Sequence, residues 1–121
     1  VEWLVEVDQE TVRQQLQTGL IGMHAMREEH FGMAIVEGMA AGLLTVAHRS
    51  GGPMLDIVRQ TGVGLLAETP AEYAQALHRL LEMNEAERQV MRAAARKWVQ
   101  ERFDVRLFDR TLLKAYPALL A

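Results

Sequence analysis

Two glutamates, Glu29 and Glu37, are the side chains whose type and spacing best suit chemistry in this sequence, and seven residues separate them. An ionised glutamate only accepts hydrogen bonds, so each carboxylate suits a ligand that donates from hydroxyl groups. Residues 33–41 are otherwise apolar or small, which predicts a buried helix without a polar face. Because a buried carboxylate requires a partner, we expect Glu37 to meet either a ligand or an arginine inside the fold.

The predicted helix begins after Gly32, and its start suits an anion. The first N–H groups of a helix have no partner within it, and together with the helix dipole they favour a phosphate. Glu29 lies just before this end, where its carboxylate either caps the helix or accepts hydrogen bonds from a hydroxylated ligand. The residues on the same side of the helix as Glu37 are mostly small and leave room for a ligand; they are Ala34, Gly38, Ala40 and Ala41, with Met33 one turn back.

Strands and helices alternate over the first half of the sequence, and this alternation determines where the glutamates lie. Strands are predicted at residues 3–7, 20–26, 43–48 and 65–67, and helices at 9–17, 33–41 and 54–60. Such a pattern predicts an α/β fold, in which helices cover both faces of a parallel sheet. Ligands of these sheets collect at the carboxyl ends of the strands. Both Glu29 and the loop Ser50-Gly51-Gly52-Pro53 fall there.

After residue 68 the sequence predicts helices alone. Thr69 and Asn84 are each followed three residues later by a glutamate, which is the pattern of a capping box at a helix start. Asp8 is expected to cap the helix at 9–17, and Asp104 to cap a last helix through Phe108 and Leu112. The predicted apolar faces of the two middle helices consist of Tyr73, Ala74, Leu77, Leu80 and Leu81, and of Val90, Met91, Ala94, Trp98 and Val99.

Composition excludes several classes of function. The chain has 121 residues, half of them hydrophobic, with a net charge of −3, so it can build one core and offers nucleic acid no broad basic surface. It has no cysteine, which excludes disulfides and is compatible with a reducing compartment. The longest nearly apolar run, 33–47, is too short to span a bilayer. The four histidines lack metal-ligand spacing, Gly51-Gly52 is not a Walker loop, and Ser50 lacks a nucleophile-elbow pattern.

The string from Glu29 to Gly42 resembles the Glu-x7-Glu signature of retaining GT-B glycosyltransferases, a large family that uses nucleotide sugars. Within that family the sequence is most similar to the GDP-mannose-dependent α-1,2-mannosyltransferases that extend dolichol-diphosphate-linked oligosaccharides. That similarity runs with few gaps from about residue 3 to residue 103. Its strongest segments are Glu29-His30-Phe31-Gly32, Val36-Glu37-Gly38-Met39-Ala40-Ala41-Gly42 and Ala47-His48-Arg49-Ser50-Gly51-Gly52-Pro53-Met54-Leu55-Asp56-Ile57-Val58.

The resemblance implies a role for each matching residue. Glu29 would be the catalytic carboxylate at the transferred sugar and diphosphate, and Glu37 would hold the ribose hydroxyls. The backbone N–H groups of Phe31, Gly32 and Met33 would lie near the sugar and phosphates. Further candidates are His30, Arg27, Gly51 and Gly52, for which a packed imidazole, a surface charge and a tight turn remain open alternatives.

The resemblance also implies an incomplete enzyme. Residues 1–103 would be the donor-binding half of a GT-B fold with a Rossmann-like parallel sheet, lacking its amino-terminal part, and 104–121 a carboxy-terminal helix. GDP-mannose would be the donor substrate, with no cofactor or metal. The lipid-linked oligosaccharide acceptor would bind an amino-terminal domain outside this chain, at the cytosolic face of the endoplasmic reticulum membrane. We therefore expect this chain alone not to catalyse transfer.

Two alternatives stay open at this point. The chain could be a truncated, non-catalytic structural or interaction subunit, because the basic residues that would neutralise a departing diphosphate do not precede Val1. It could also belong to an enzyme that uses another nucleotide sugar, such as UDP-glucose. The glutamate pair is shared across the family, and no residue that recognises the base is identifiable.

Overall fold

A computed structural model describes residues 1–58, 62–107, 109–111 and 114. Within these residues, three parallel strands form one sheet in the order β1 (Ile21–His24), β2 (Leu44–His48) and β3 (Leu65–Ala67). In the register of the sheet, Ile21 lies opposite Leu44, and Val46 lies opposite Leu65. The prediction of a parallel sheet from alternating elements is therefore confirmed.

Helices cover both faces of this sheet, as predicted. The described helices are α1 (Gln9–Thr18), α2 (Met33–Ala41), α3 (Pro70–Glu82) and α4 (Glu85–Phe103). Every residue of β2 is buried, and its side chains alternate between two cores. Ala47 packs with residues of α2 and α4, whereas Leu44 and Val46 pack with α3 and with Met91 of α4. The middle strand thus fixes α2 on one side of the sheet and α3 on the other.

The predicted N-caps hold the helices at their expected starts. Asp8 accepts a hydrogen bond from the N–H of Thr11, and capping boxes form at Thr69 and at Asn84. Residues 105–107, 109–111 and 114 are helical and follow Asp104, whose carboxylate accepts from the N–H of Arg106. The predicted positions Phe108 and Leu112 lie outside the described residues. No helix in the described part of the chain is both long and apolar enough to cross a membrane.

Several local predictions were wrong, each because packing overrides sequence preference. Residues 3–7 form no strand in the structure, and the side chain of Trp3 is 85% exposed. A run of β-formers becomes a strand only against a partner. The strand predicted at 20–26 is shorter and lies at the sheet edge, so it is half-buried rather than buried. On the two middle helices, Ala76 and Ala95 are buried while the predicted core residues Ala74, Leu81 and Val90 are exposed.

The segment after β2 also differs from the prediction. Gly51 and Gly52 are already helical, and a π-helical turn follows at Pro53–Ile57 in place of a loop and a helix at 54–60. Residue 60 lies outside the described residues. The glycines are therefore not part of an irregular loop, and their role depends on what their backbone touches.

The capping box of α3 gives a test of stability against pH. The Glu72 carboxylate accepts from the N–H groups of Glu68 and Thr69 and lies 3.2 Å from the Arg49 guanidinium. The N–H of Glu68 has the largest effect, and together with Thr69 and Arg49 it holds the pKa of Glu72 below its ordinary value of 4.5. A lowered pKa adds stability above the unfolded value, and this stability is lost as the pH falls through the folded value.

We expect Glu72→Gln, which keeps a capping side chain without the charge, to unfold at a lower temperature than wild type at neutral pH. The difference should vanish in strongly acidic buffer, where the wild-type carboxyl is protonated. Thermal unfolding followed by circular dichroism from neutral to acidic pH measures this, with Glu2→Gln as a control for net charge. A difference between Glu72→Gln and wild type that stays constant with pH would contradict the prediction.

Candidate functional site

The segments that follow β1 and β2 lie directly against each other at the carboxyl edge of the sheet. The N–H of Gly52 donates to the carbonyl oxygen of Glu29 at 2.7 Å. In the opposite direction, the N–H of Glu28 donates to the hydroxyl oxygen of Ser50 at 3.0 Å. The expectation that Glu29 and Gly51-Gly52 meet at the strand ends is therefore confirmed. The residues before α2 are held by the residues after β2.

Gly51 and Gly52 permit this contact because they have no side chain. A Cβ on Gly51 would overlap the carbonyl oxygen of Glu29, and Gly51 also has a φ of +55°. A Cβ on Gly52 would lie 2.5 Å from Cα of Phe31, although the Gly52 backbone is ordinary helix with φ −56°. Gly51 therefore has two reasons to be glycine, its positive φ and the close approach of Glu29, whereas a tight turn does not account for Gly52. Gly52 is required by the close approach of a second backbone.

The N-terminus of α2 has no side-chain cap among the described residues, so its first N–H groups are available to a ligand. Gly32 is its N-cap, with φ +104°, and no described side chain caps the helix. The first turn also contains no acidic residue. The alternative that Glu29 caps this helix is therefore wrong. Backbone N–H groups at an uncapped helix start favour an anion.

Glu29 is half-buried beside a histidine. Its side chain is 24% exposed, and Oε2 lies 3.7 Å from Nε2 of His24, the last residue of β1. That distance is too long for a hydrogen bond, so the two groups interact as charges when the imidazole is protonated. Tyr73 of α3 donates from its hydroxyl to the carbonyl oxygen of His24 at 3.0 Å. The end of β1, and with it the start of the segment that carries Glu29, is thereby tied to α3.

Glu37 is exposed, which corrects the expectation that it is buried. Only one side of α2 packs against the protein, through Ile35, Val36, Gly38 and Met39. The hydrophobic composition of the helix thus does not bury its whole circumference, and Glu37 needs no arginine inside the fold. The other side of α2 is open, and its exposed positions are Met33, Ala34, Glu37 and Ala40. The prediction of a side lined by small residues is correct for Ala34 and Ala40, whereas Gly38 is buried and Ala41 is partly buried.

The remaining candidates divide into structural and accessible residues. The Phe31 ring packs edge-to-face on Phe103, with centroids 5.3 Å apart, so its side chain belongs to the core. Met33, at the first position of α2, is 52% exposed. His30 and Arg27 are exposed, so a packed imidazole is the wrong alternative for His30. The structure therefore brings together Glu29, Gly51, Gly52 and the start of α2. Glu37 lies one turn along the same helix from Met33.

Sequence reasoning missed the roles of His24, His48 and Ser50. It set the histidines aside for lack of metal spacing and Ser50 for lack of a nucleophile pattern. In the structure Nδ1 of His48 lies 2.7 Å from the Ser50 hydroxyl, which also binds the N–H of Glu28. Their place in the sequence could have identified them, because His24 lies near the end of a predicted strand, His48 ends another and Ser50 follows it, and ligands collect at the carboxyl ends of such strands. Among the residues the structure describes, no group of three or more acidic or histidine side chains could hold a metal.

Because the two backbones are in contact at Gly52, we expect two glycine substitutions to lower the free energy of unfolding by different amounts. Gly52→Ala forces apart the residues after β1 and β2, so we expect the free energy of unfolding to fall by about 3 kcal/mol. Gly62→Ala is the matched control, because Gly62 has φ +89° with no described atom near its Cβ position. It should lose only about 1 kcal/mol from backbone strain. Urea unfolding measures both, and equal losses would show that the close approach is not what requires Gly52.

Comparison with known proteins identifies a sequence family and a similar fold. The sequence profile of the family described as Glycosyl transferases group 1 matches residues 1–98. The GDP-Man:Man(3)GlcNAc(2)-PP-Dol alpha-1,2-mannosyltransferase of Homo sapiens is 38% identical over 122 residues, which cover 98% of this chain and 25% of the relative. The protein of that name from Dictyostelium discoideum is 36% identical over 120 residues, covering 99% of this chain and 23% of the relative.

A solved structure shares the fold. The crystal structure of a glycosyltransferase from Rickettsia africae ESF-5 superposes with a TM-score of 0.82 at 24% identity. The match covers 93% of this chain and 30% of that chain. The chain thus spans about a quarter of the length of the curated relatives it matches.

Proposed function

This chain belongs to the family Glycosyl transferases group 1, and we propose that it is the donor-binding part of a retaining glycosyltransferase that transfers mannose from GDP-mannose to a dolichol-diphosphate-linked oligosaccharide. The observation that carries the proposal is the uncapped start of α2, with Glu29 on the segment leading into it and Glu37 on its open side. The relatives named for this reaction cover nearly the whole chain. The proposed location is the cytosolic face of the endoplasmic reticulum membrane.

The start of α2 is the proposed site of the diphosphate. Backbone N–H groups of Phe31, Gly32 and Met33 would donate to phosphate oxygens, and the helix dipole favours that charge. The left-handed Gly32 supports this assignment, because any Cβ there would crowd Ile35, Ile57 and Pro53 at 3.1 to 3.4 Å. Gly32 therefore lets the backbone at the helix start pack closely against Ile57 and Pro53. Donors that the fold has already placed need little reorganisation when a ligand binds.

Glu29 is the proposed catalytic carboxylate, acting at the transferred sugar. Its side chain is 24% exposed beside His24, and the N–H of Gly52 holds the backbone of Glu29 through its carbonyl oxygen. Interactions that strengthen only in the transition state raise turnover without tightening donor binding. A restrained carboxylate at the sugar is suited to that use, so its loss should appear mainly in kcat.

Glu37 is the proposed ligand of the ribose hydroxyls. A carboxylate has two oxygens and can accept from two vicinal hydroxyls at once. The exposed Ala34 and Ala40 beside it leave room for the nucleoside to approach. Because Glu37 is exposed, no internal ion pair has to be broken first. Its contribution should appear in donor affinity.

The rest of the active site is proposed to lie outside this chain. Charge developing on the departing diphosphate needs positive groups, and at this edge of the described sheet the chain offers the exposed Arg27 and the helix start. An amino-terminal domain would bind the acceptor and complete the site. The length of the native polypeptide, read by blotting with an antibody to this segment, tells whether such a domain accompanies the chain.

Two substitutions separate the proposed roles in the polypeptide of native length. Glu37→Ala should raise the KM for GDP-mannose about tenfold or more with little change in kcat. The substitution removes the hydrogen bonds from the ribose hydroxyls to the carboxylate, which would be present both in the bound ground state and in the transition state. Glu29→Ala should chiefly lower kcat. Transfer of radiolabelled mannose to a dolichol-linked acceptor measures both, and Glu82→Ala on the exposed side of α3 is the matched control. Wild-type kinetics in both glutamate variants would refute the proposal.

Binding to the chain itself distinguishes the nucleotide. Titration of GDP into 15N-labelled chain should move the amide signals of Gly32, Met33 and Glu37, and UDP should move them less. A larger response to UDP than to GDP would favour a donor with another base. A blot showing a native polypeptide no longer than this chain, together with no response to GDP, would favour a non-catalytic structural subunit.

A further inference from the structure

A hydrogen-bond chain that begins at the buried His48 links the end of β2 to the segment that carries Glu29. His48 is the last residue of β2 and is only 5% exposed. Its Nδ1 lies 2.7 Å from the hydroxyl oxygen of Ser50, and that oxygen accepts from the N–H of Glu28 at 3.0 Å. These hydrogen bonds therefore run from His48 through Ser50 to the N–H of Glu28, the residue just before the proposed catalytic carboxylate. Nothing in the proposed donor site uses it.

The Ser50 hydroxyl is the central member of this hydrogen-bond chain. Its oxygen accepts from the N–H of Glu28 and lies within hydrogen-bond distance of Nδ1 of His48. A serine hydroxyl has one proton and two acceptor lone pairs, so it can bond to both groups at once with either His48 tautomer. Nε2 of His48 has no partner among the described residues. Ser50 thus joins the segment after β1 to the end of β2.

The peptide held by Ser50 is in an unfavourable conformation. Glu28 has φ +49°, a left-handed backbone that residues other than glycine adopt rarely. Such a conformation persists only where neighbouring contacts determine it. Here two contacts do so, the Ser50 hydroxyl on the N–H of Glu28 and the N–H of Gly52 on the carbonyl oxygen of Glu29. Without the first, the turn can relax, and Glu29 moves with it.

We propose that Ser50 and His48 are positioning residues for Glu29, which they hold through the left-handed peptide of Glu28. This proposal rests on the catalytic role proposed above for Glu29. Neither side chain is required to touch the donor. Ser50 fixes the turn, and His48 orients the Ser50 hydroxyl so that its oxygen faces the Glu28 amide.

The first experiment measures the hydrogen bond in the chain itself. In Ser50→Ala, amide hydrogen exchange at Glu28 should accelerate about tenfold, the factor expected for loss of one partly buried hydrogen bond. Ser50→Thr keeps the hydroxyl and should stay within about twofold of wild type. Thr18→Ala, which removes a hydroxyl that bonds Gln14 on α1, is the matched control. Unchanged exchange at Glu28 in Ser50→Ala would overturn the proposal.

The second experiment measures turnover in the polypeptide of native length. Ser50→Ala and His48→Leu should lower kcat about tenfold while the KM for the donor changes less than about twofold, since a displaced catalytic group costs turnover. Ser50→Thr and His48→Asn, which keep hydrogen-bonding atoms at the two positions, should restore most of kcat. A loss of kcat in Ser50→Thr and His48→Asn equal to that in Ser50→Ala and His48→Leu would overturn the positioning role.

A double-mutant cycle separates this proposal from the one on which it rests. If Ser50 acts only through Glu29, then Ser50→Ala should lower kcat about tenfold in wild type and by less than about twofold in a Glu29→Ala background. An equal loss in both backgrounds would overturn the positioning role alone. Wild-type turnover in Glu29→Ala would overturn the catalytic role of Glu29 and leave the exchange experiment to judge the hydrogen bond.

Discussion

The close approach of two backbones at the carboxyl edge of the sheet is the constraint on which the candidate site depends. Adjacent parallel strands end side by side, so the segments that follow β1 and β2 lie close together. They can pack in contact because Gly51 and Gly52 have no side chain, and a Cβ on either residue would overlap the backbone of the segment after β1. The resulting hydrogen bond from Gly52 to Glu29 fixes the entry to α2. The open helix start therefore has a defined position before any ligand binds.

The two glutamates of the site lie in different environments, and this difference gives them different chemical capacities. Glu29 is half-buried, lies near His24, and follows a peptide in a left-handed conformation. Glu37 is exposed on the side of α2 that faces away from the core. A restrained carboxylate can be placed against a reacting group, whereas an exposed one gains most when a ligand covers it. The separation of the proposed roles rests on packing and not on residue type.

Helix α4 supports α2 at both of its ends. Near the start, Phe103 packs edge-to-face on Phe31, and near the end Arg96 donates to the carbonyl oxygen of Ala40 at 3.1 Å. Trp98 donates from its indole N–H to the carbonyl oxygen of Ile57 at 2.7 Å, which ties the π-helical turn to the same helix. Helix α4 thus supports the residues that form the candidate site, although none of its own residues is a proposed ligand. Capping boxes and two cores hold this support in place.

Local signals in the sequence predicted the four long helices and the three strands in the described part of the chain, although not every boundary. Caps at Asp8, Thr69 and Asn84 act through neighbouring residues, so their prediction needed no tertiary information. The alternation of strands and helices predicted the parallel sheet, and with it the meeting of Glu29 with Gly51 and Gly52 at one edge. The Glu-x7-Glu resemblance predicted the family. All of these depend on residues close together in the chain or on a rule that holds for every sheet of this class.

Burial and hydrogen-bond partners could not be predicted in the same way, because they depend on which surfaces come together. An all-apolar helix could have been buried on every side, yet only one side of α2 found neighbours, and Glu37 was left exposed. Residues 3–7 had the composition of a strand but no paired neighbour among the described residues. The bond from Ser50 to Glu28 joins residues 22 positions apart. By itself the sequence determined most of the elements and the spacing of the two glutamates, whereas only the tertiary structure decided that Glu29 is half-buried and Glu37 exposed, since burial depends on long-range contacts.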